Sequence, residues 1–173
     1  MSTFEKFRSK MEEVIARFSS TTAINALKNG MLATLPLTML GSIFLLVASF
    51  PIDNWSEIMT GLLGPDWKYP FTQVSSSTFD IIALVASFSI AYQYARIKKI
   101  EPFACGMISL VNFLVLIPSV VVQDGVEVDS IIPKTWAGGS GMATAIIVGL
   151  ITGWLYTAIL NKGWRIQMPA SVP

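Results

Sequence analysis

Between residues 138 and 160 the chain carries no charged side chain, and small residues recur at every fourth position, at Gly141, Ala145, Gly149 and Gly153. At 3.6 residues per turn this spacing holds all four on one side of a helix, so a second backbone can approach closely along its length. Residues 149–153 read Gly-Leu-Ile-Thr-Gly, a literal GxxxG. In water, a helix with glycines on one stripe and apolar side chains elsewhere is poorly stable and insoluble. In lipid it is a packing surface, either between subunits or within one chain, and the rest of the molecule is expected to pack around it.

Composition agrees with lipid as the solvent. Of 173 residues, 53% are hydrophobic and only 13% charged, about half the charged fraction (~25%) of an ordinary soluble domain, and the mean hydropathy is +0.60. The expected fold class is therefore an all-α polytopic membrane protein. The net charge of +1, without a basic stripe interleaved with aromatics, gives no basis for nucleic-acid binding. One cysteine, Cys105, excludes an internal disulfide and leaves no metal-ligand cluster, so neither a metal nor another cofactor is expected. The chain has no histidine, hence no Ser-His or Cys-His nucleophile pair and no imidazole to shuttle protons or accept a phosphoryl group. No catalytic residue is assigned.

Residues 1–29 form an amphipathic segment. Phe4, Phe7, Met11, Val14, Ile15 and Phe18 share one helical face, opposite Glu5, Lys6, Arg8, Lys10, Glu12, Glu13 and Arg17, a pattern suited to a membrane surface or a partner helix. A four-span region, residues 30–167, follows. Its spans are expected at about 31–50, 75–95, 102–122 and 137–160, each near the twenty residues that cross about 30 Å of hydrocarbon. Pro36 predicts a kink near residues 32–36 of the first span. Thr34, Gly41 and Ala48, at heptad spacing, make a second small-residue stripe, a natural mate for the later glycines. In the loop at 51–71, Trp55, Trp67 and Tyr69 suit the headgroup level, and residues 58–63 have the length for one helical turn. Ser75 to Thr78 read as the start of the second span. Asp80, three residues after Ser77, sits at the offset of a capping box.

Three polar residues within spans are candidates for a substrate path, Asp80, Gln93 and Asn112, because an intramembrane polar side chain must be paired or functional. For Asp80 the competing reading is a helix cap. For Asn112 it is an interhelical hydrogen bond. Alternation around Asp124-Gly125 predicts a small β-hairpin outside the membrane. If the N-terminus is cytoplasmic, four spans place ten lysines and arginines on that side and only Lys68 and Lys134 on the other, so both termini are expected in the cytoplasm.

Three stretches together resemble enzyme IIC, the membrane component of bacterial phosphoenolpyruvate-dependent sugar phosphotransferase systems, in the lactose and cellobiose (chitobiose) branch. They are Ala26-Leu27-Lys28-Asn29-Gly30 with Pro36 and residues 41–46, then Ala91-Tyr92-Gln93-Tyr94-Ala95 with its basic turn, and the proline-containing residues 168–173. The resemblance implies a bacterial cytoplasmic-membrane permease for a β-linked disaccharide such as cellobiose, chitobiose or lactose, a homodimer, and a phosphorylated enzyme IIB as partner. It also implies that this sequence matches the N-terminal scaffold and dimerisation region, with residues 168–173 beginning the linker to a transport part. The family's histidine and glutamate near the sugar have no counterpart here, so no sugar-binding residue is carried over. Read from the residues alone, a stand-alone four-span protein remains open, either a small pore or a regulator that associates with a full-length carrier.

Overall fold

The computed structural model describes residues 21–123, 126–129 and 131–163. The expected amphipathic helix at residues 3–19, the Asp124-Gly125 turn and residues 168–173 lie outside the described residues. Among the described residues eight α-helices, one 3₁₀ turn and a two-stranded sheet follow one another. The helices are α1 (Thr22–Leu32), α2 (Leu35–Ala48), α3 (Trp55–Leu63), α4 (Lys68–Phe79), α5 (Ile82–Ile97), α6 (Pro102–Leu116), α7 (Lys134–Ala137) and α8 (Met142–Asn161), with the 3₁₀ turn at Gly139–Gly141 before α8. Strands β1 (Val121–Gln123) and β2 (Val126–Val128) pair antiparallel, with Val121 opposite Val128 and Gln123 opposite Val126, which is the small sheet the sequence predicted.

Among the described residues three continuous helical stretches are long and apolar enough to cross a membrane: Thr22–Ala48 (27 residues), Lys68–Ile97 (30 residues) and Gly139–Asn161 (23 residues). A shorter apolar helix, Pro102–Leu116, accompanies them. At 1.5 Å per residue, the first two reach about 40 and 45 Å, beyond the hydrocarbon thickness of about 30 Å, and each is broken along its length. The first break falls at Ala33 and Thr34, inside the interval marked by Pro36. Pro36 has no N–H to give the Leu32 carbonyl, and the amide of Thr34 instead reaches back only three residues, to Met31 O at 3.1 Å. The second break falls at Asp80 and Ile81.

This second helix departs from the expectation at its start. The Ser75-Thr78 run lies inside α4, which begins at Lys68. A Ser/Thr run reads as a helix start because hydroxyls compete for backbone groups in water. Here Thr78 Oγ1 donates to Ser75 O at 2.7 Å, and a hydroxyl bonded to its own helix is no obstacle to continuing it. Asp80 is consequently the C-cap of α4, its amide donating to Ser76 O at 2.9 Å, and not a residue in the first turn of a span.

The third apolar segment also ends earlier than expected, at Leu116. Pro118 restricts the residue before it, and Ile117 is extended at φ −81° and ψ 133°. At the other end Glu101 caps α6, its two carboxylate oxygens accepting the amides of Phe103 and Ala104 at 2.8 Å each. Lys99, at φ 56°, makes the tight corner from α5.

The bundle centres on α5. It packs against α1, α6 and α8, and its Ala83, Ala86, Ser87, Ile90, Ala91 and Ala95 are buried. The glycine-bearing α8 is one of three helices around this hub, whereas the sequence pointed to α8 itself as the centre. Phe113 of α6 fills the space between α5 and α8 beside Ala83, Ala86, Ala145 and Val148. α2 and α4 pair with each other beyond this bundle. From Gly30 to Gly41 the contact moves back along the partner from Ile90 to Thr78 and Phe79, so the two long broken helices run antiparallel.

Candidate functional site

Of the four small residues at every fourth position, three lie in α8 and face α5. A Cβ on Gly149 would lie 2.9 Å from Ile90 Cβ, and one on Gly153 would lie 2.7 Å from Tyr94 Cβ. Real Cβ atoms do not approach so closely, so only glycine permits this separation of the two backbones. Ala145 is fully buried in the cluster around Phe113. Gly141 is different. It ends the 3₁₀ turn, where its missing side chain makes room for the Trp136 carbonyl. With glycines at 138, 139 and 141 the helix does not extend back to Gly138, so Gly141 leaves the α8 stripe. The face formed by Ala145, Gly149 and Gly153 is filled from within the chain.

The second stripe is occupied too, by a different mate. Thr34, Gly41 and Ala48 are all buried, and Gly41 lies under Thr78 and Phe79 of α4 rather than against α8. The reason is connectivity. A short loop and α3 join α2 to α4, and antiparallel neighbours in sequence pack first.

Asp80, Gln93 and Asn112 do not converge. Asp80 faces Lys134 at 3.7 Å, both side chains being partly exposed. The backbone of Gly138 packs against the same break, where an added Cβ would lie 3.2 Å from Asp80 Cα. Gln93 is half-buried near the opposite end of α5, about 20 Å away by helical rise. Asn112 Nδ2 donates to Thr152 Oγ1 at 3.1 Å, an interhelical bond between α6 and α8. Several hydroxyls in the long helices turn back on their own backbones: Thr38 to Leu35 O at 2.9 Å, Ser42 to Thr38 O at 2.7 Å and Thr157 to Gly153 O at 2.8 Å. Ser109, fully buried, donates across to Ser87 O at 2.9 Å. Among the described residues no buried side-chain nitrogen or oxygen is without a hydrogen-bond partner.

Two close approaches escaped sequence reasoning. Gly30 of α1 lies on the opposite flank of Ile90 from Gly149, its added Cβ being 2.7 Å from Ile90 Cα. Gly106 of α6 lies 2.7 Å, by the same measure, from the Phe88 ring. Ala26 and Gly30, four residues apart and both buried, were the available signal for the first.

The concave features differ in character: a cleft of about 400 Å³ where α2, α3 and α4 meet carries Asn54, Ser56, Glu57 and Lys68 beside Trp55 and Trp67, whereas two others are mainly apolar. A cleft of about 190 Å³ is lined by Phe113, Leu116, Ile117, Pro118, Trp136, Gly141 and Thr144. A wider groove of about 340 Å³ runs beside Asn112, Val115, Ile147 and Ile151 between α6 and α8. Neither gathers the convergent polar groups that orient a sugar. Among the described residues no three carboxylate or thiol side chains come together to hold a metal ion. Cys105 is a buried free thiol packed among Ala91, Ala95 and Tyr156.

Comparison with known proteins places this architecture. The family described as "Phosphotransferase system, EIIC" matches residues 28–173. The cellobiose-specific EIIC component of Geobacillus stearothermophilus is 31% identical over 92% of this chain and 37% of its own length. The lichenan permease IIC component of Bacillus subtilis is 31% identical over 95% of this chain and 38% of its own. The crystal structure of ChbC, the IIC component of the N,N'-diacetylchitobiose-specific phosphotransferase system, superposes with a TM-score of 0.88 at 33% identity. That match covers 94% of this chain and 39% of ChbC. The chain thus spans about two fifths of the length of the curated relatives it matches. With the family match running through every described helix but the start of α1, the chain belongs to the phosphotransferase-system EIIC family, in its lactose and cellobiose branch.

Proposed function

We propose that this chain is the stationary scaffold of a phosphotransferase-system permease for a β-linked disaccharide, the part against which a transport region moves. The observation that carries the proposal is the state of the bundle interior. The helices around α5 are interlocked at Gly30, Gly106, Gly149 and Gly153, and every buried polar side-chain atom among the described residues already has a partner. An interior of this kind resists rearrangement and has no open donors or acceptors for a sugar. The sugar site and the contact with phosphorylated enzyme IIB then belong to the other three fifths of such a permease.

In this reading Thr22–Ala48, Lys68–Ile97, Pro102–Leu116 and Gly139–Asn161 are four spans of the bacterial cytoplasmic membrane. Lys28, Arg96, Lys98, Lys99 and Lys162 face the cytoplasm, and Lys68, Lys134 and the β-hairpin face outward, which satisfies the positive-inside rule. Both termini are then cytoplasmic. A homodimer contact uses a surface other than the Gly149 and Gly153 face, which α5 covers.

The test is a graft. This chain replaces the matching part of the Geobacillus stearothermophilus cellobiose-specific EIIC component, and sugar uptake is followed in cells. A scaffold leaves uptake working with the recipient's sugar preference. A chimaera that is well folded in the membrane but has altered sugar preference places recognition within this chain and contradicts the proposal.

A further inference from the structure

Helix α3 joins the outer ends of α2 and α4, yet it has no buried residue and no substantial packing against any other helix. Its nine residues are sharply divided by side. Trp55, Ile58, Met59, Leu62 and Leu63 fall on one half of the helical wheel, and Ser56, Glu57 and Thr60 on the other. Trp55 and Met59 are partly covered by the chain, whereas Ile58, Leu62 and Leu63 are 49%, 74% and 60% exposed. A helix with this pattern, uncovered by the described residues at Ile58, Leu62 and Leu63, leaves that part of its apolar half facing something that is not water.

Both ends of α3 are fixed. Asn54 at φ 61° and Gly64 at φ 90° turn the chain sharply on either side. Trp55 Nε1 donates to Val47 O at 2.9 Å, and its ring lies 5.2 Å from that of Phe50, tying the start of α3 to the end of α2. At the far end Trp67 is buried, with its ring 6.1 Å from Phe71. These anchors hold the helix beside the end of α2, where Leu45 and Leu46 of α2 and Ile52 of the loop after it are also exposed. The exposed half of α3 thus continues the apolar outer surface of a membrane-crossing helix.

We infer that α3 lies in the plane of the bilayer, with Ile58, Leu62 and Leu63 inserted among the outer-leaflet acyl chains and Glu57 in the headgroup water. The partner is the lipid itself. This rests on the membrane scaffold reading. The polar half of α3 has Glu57 and no lysine or arginine, with Asp53 and Asp66 just beyond its ends, so apolar burial rather than attraction to anionic headgroups holds it. Together with Trp55 and Trp67, it fixes how deeply the α2–α4 pair sits.

The experiment places an environment-sensitive fluorophore on single cysteines in this chain, grafted into the Geobacillus stearothermophilus cellobiose-specific EIIC component and freed of other cysteines, Cys105→Ala included, in nanodiscs of zwitterionic lipid. The labelled variants are Leu62→Cys, Thr60→Cys and, on the outer face of α2, Ile43→Cys. The Leu62→Cys label is expected to be quenched severalfold more by spin-labelled lipid than by aqueous iodide, and the Thr60→Cys label the reverse. Equal iodide quenching at both positions would overturn the inference, as would a Leu62→Cys label shielded from both quenchers, which would mean that protein covers it. Ile43→Cys separates the two levels of failure. Quenching by lipid there with the α3 labels in water overturns only the placement of α3, whereas no lipid quenching at Ile43→Cys overturns the membrane reading beneath it.

Discussion

Gly149 and Ile90 meet where a β-carbon cannot fit, 2.9 Å being all the space between a Cβ placed on the glycine and the Cβ of the isoleucine. Gly30 closes the other flank of Ile90, so three helices are held by one side chain that is wholly buried. Without a hydrophobic force to drive helices together in lipid, such close backbone contact is the main source of cohesion.

Gly149→Leu is therefore expected to push α8 from α5 and to destabilise the fold by about 1–3 kcal/mol or more, the usual cost of overpacking. Thermal unfolding in detergent checks it. A transition unchanged from the parent would mean that the contact is not made.

Alanine substitutions at two glycines should have opposite signs. Gly153→Ala drives a methyl into Tyr94 and destabilises. Gly61→Ala, in α3, meets nothing within 4 Å and should stabilise by about 0.5–1 kcal/mol through helix propensity. The two melting temperatures, measured side by side, decide the point.

The Asn112–Thr152 bond should contribute about 0.6 kcal/mol, the average for interhelical bonds in membrane proteins. A double-mutant cycle of Asn112→Leu and Thr152→Val reads this coupling directly. A coupling near zero would show that each side chain is satisfied elsewhere.

Asp80 and Lys134 are partly exposed and 3.7 Å apart, so their coupling should be below about 1 kcal/mol and should fade at high salt. Unfolding of Asp80→Asn, Lys134→Met and the double variant, at low and high salt, checks both statements.

Ser109→Ala removes a fully buried hydroxyl from Ser87 O and should cost about 1 kcal/mol. Cysteine accessibility at Cys105, on the same helix, should rise in parallel as α6 loosens from α5.

Backbone restrictions were the most legible part of the sequence. Pro36 acts on its own neighbours, so the break at Ala33–Thr34 could be read locally, as could the pairing of β1 with β2; Pro118 acts on Ile117 in the same way, yet the third span was expected to run past it to residue 122. Partner choice was not local. The glycines of α8 announce that something approaches closely, but the approaching side chains, Ile90 and Tyr94, sit in a helix of ordinary alanines and serines. The same limit explains why Thr34, Gly41 and Ala48 were paired with α8 in the sequence and with α4 in the fold. Ser75 to Thr78 misled for a different reason: Thr78 spends its hydroxyl on its own helix, which removes the signal's meaning. Of the polar residues, Asn112 was readable as an interhelical donor. Asp80 was not readable as a partner of Lys134, because that contact depends on how the segment before α8 folds back.

The most direct test of the scaffold is whether it keeps its shape while sugar is carried. Spin labels on Met39→Cys and Ile151→Cys, both on exposed faces, report the distance between α2 and α8 by double electron–electron resonance when this chain is grafted into the Geobacillus stearothermophilus cellobiose-specific EIIC component. A second pair, Ile151→Cys with a position in the three fifths that the Geobacillus stearothermophilus component supplies, reports motion between the two parts. The account predicts that a β-linked disaccharide with phosphorylated enzyme IIB shifts the second distance and leaves the first unchanged. A shift between Met39→Cys and Ile151→Cys would contradict it.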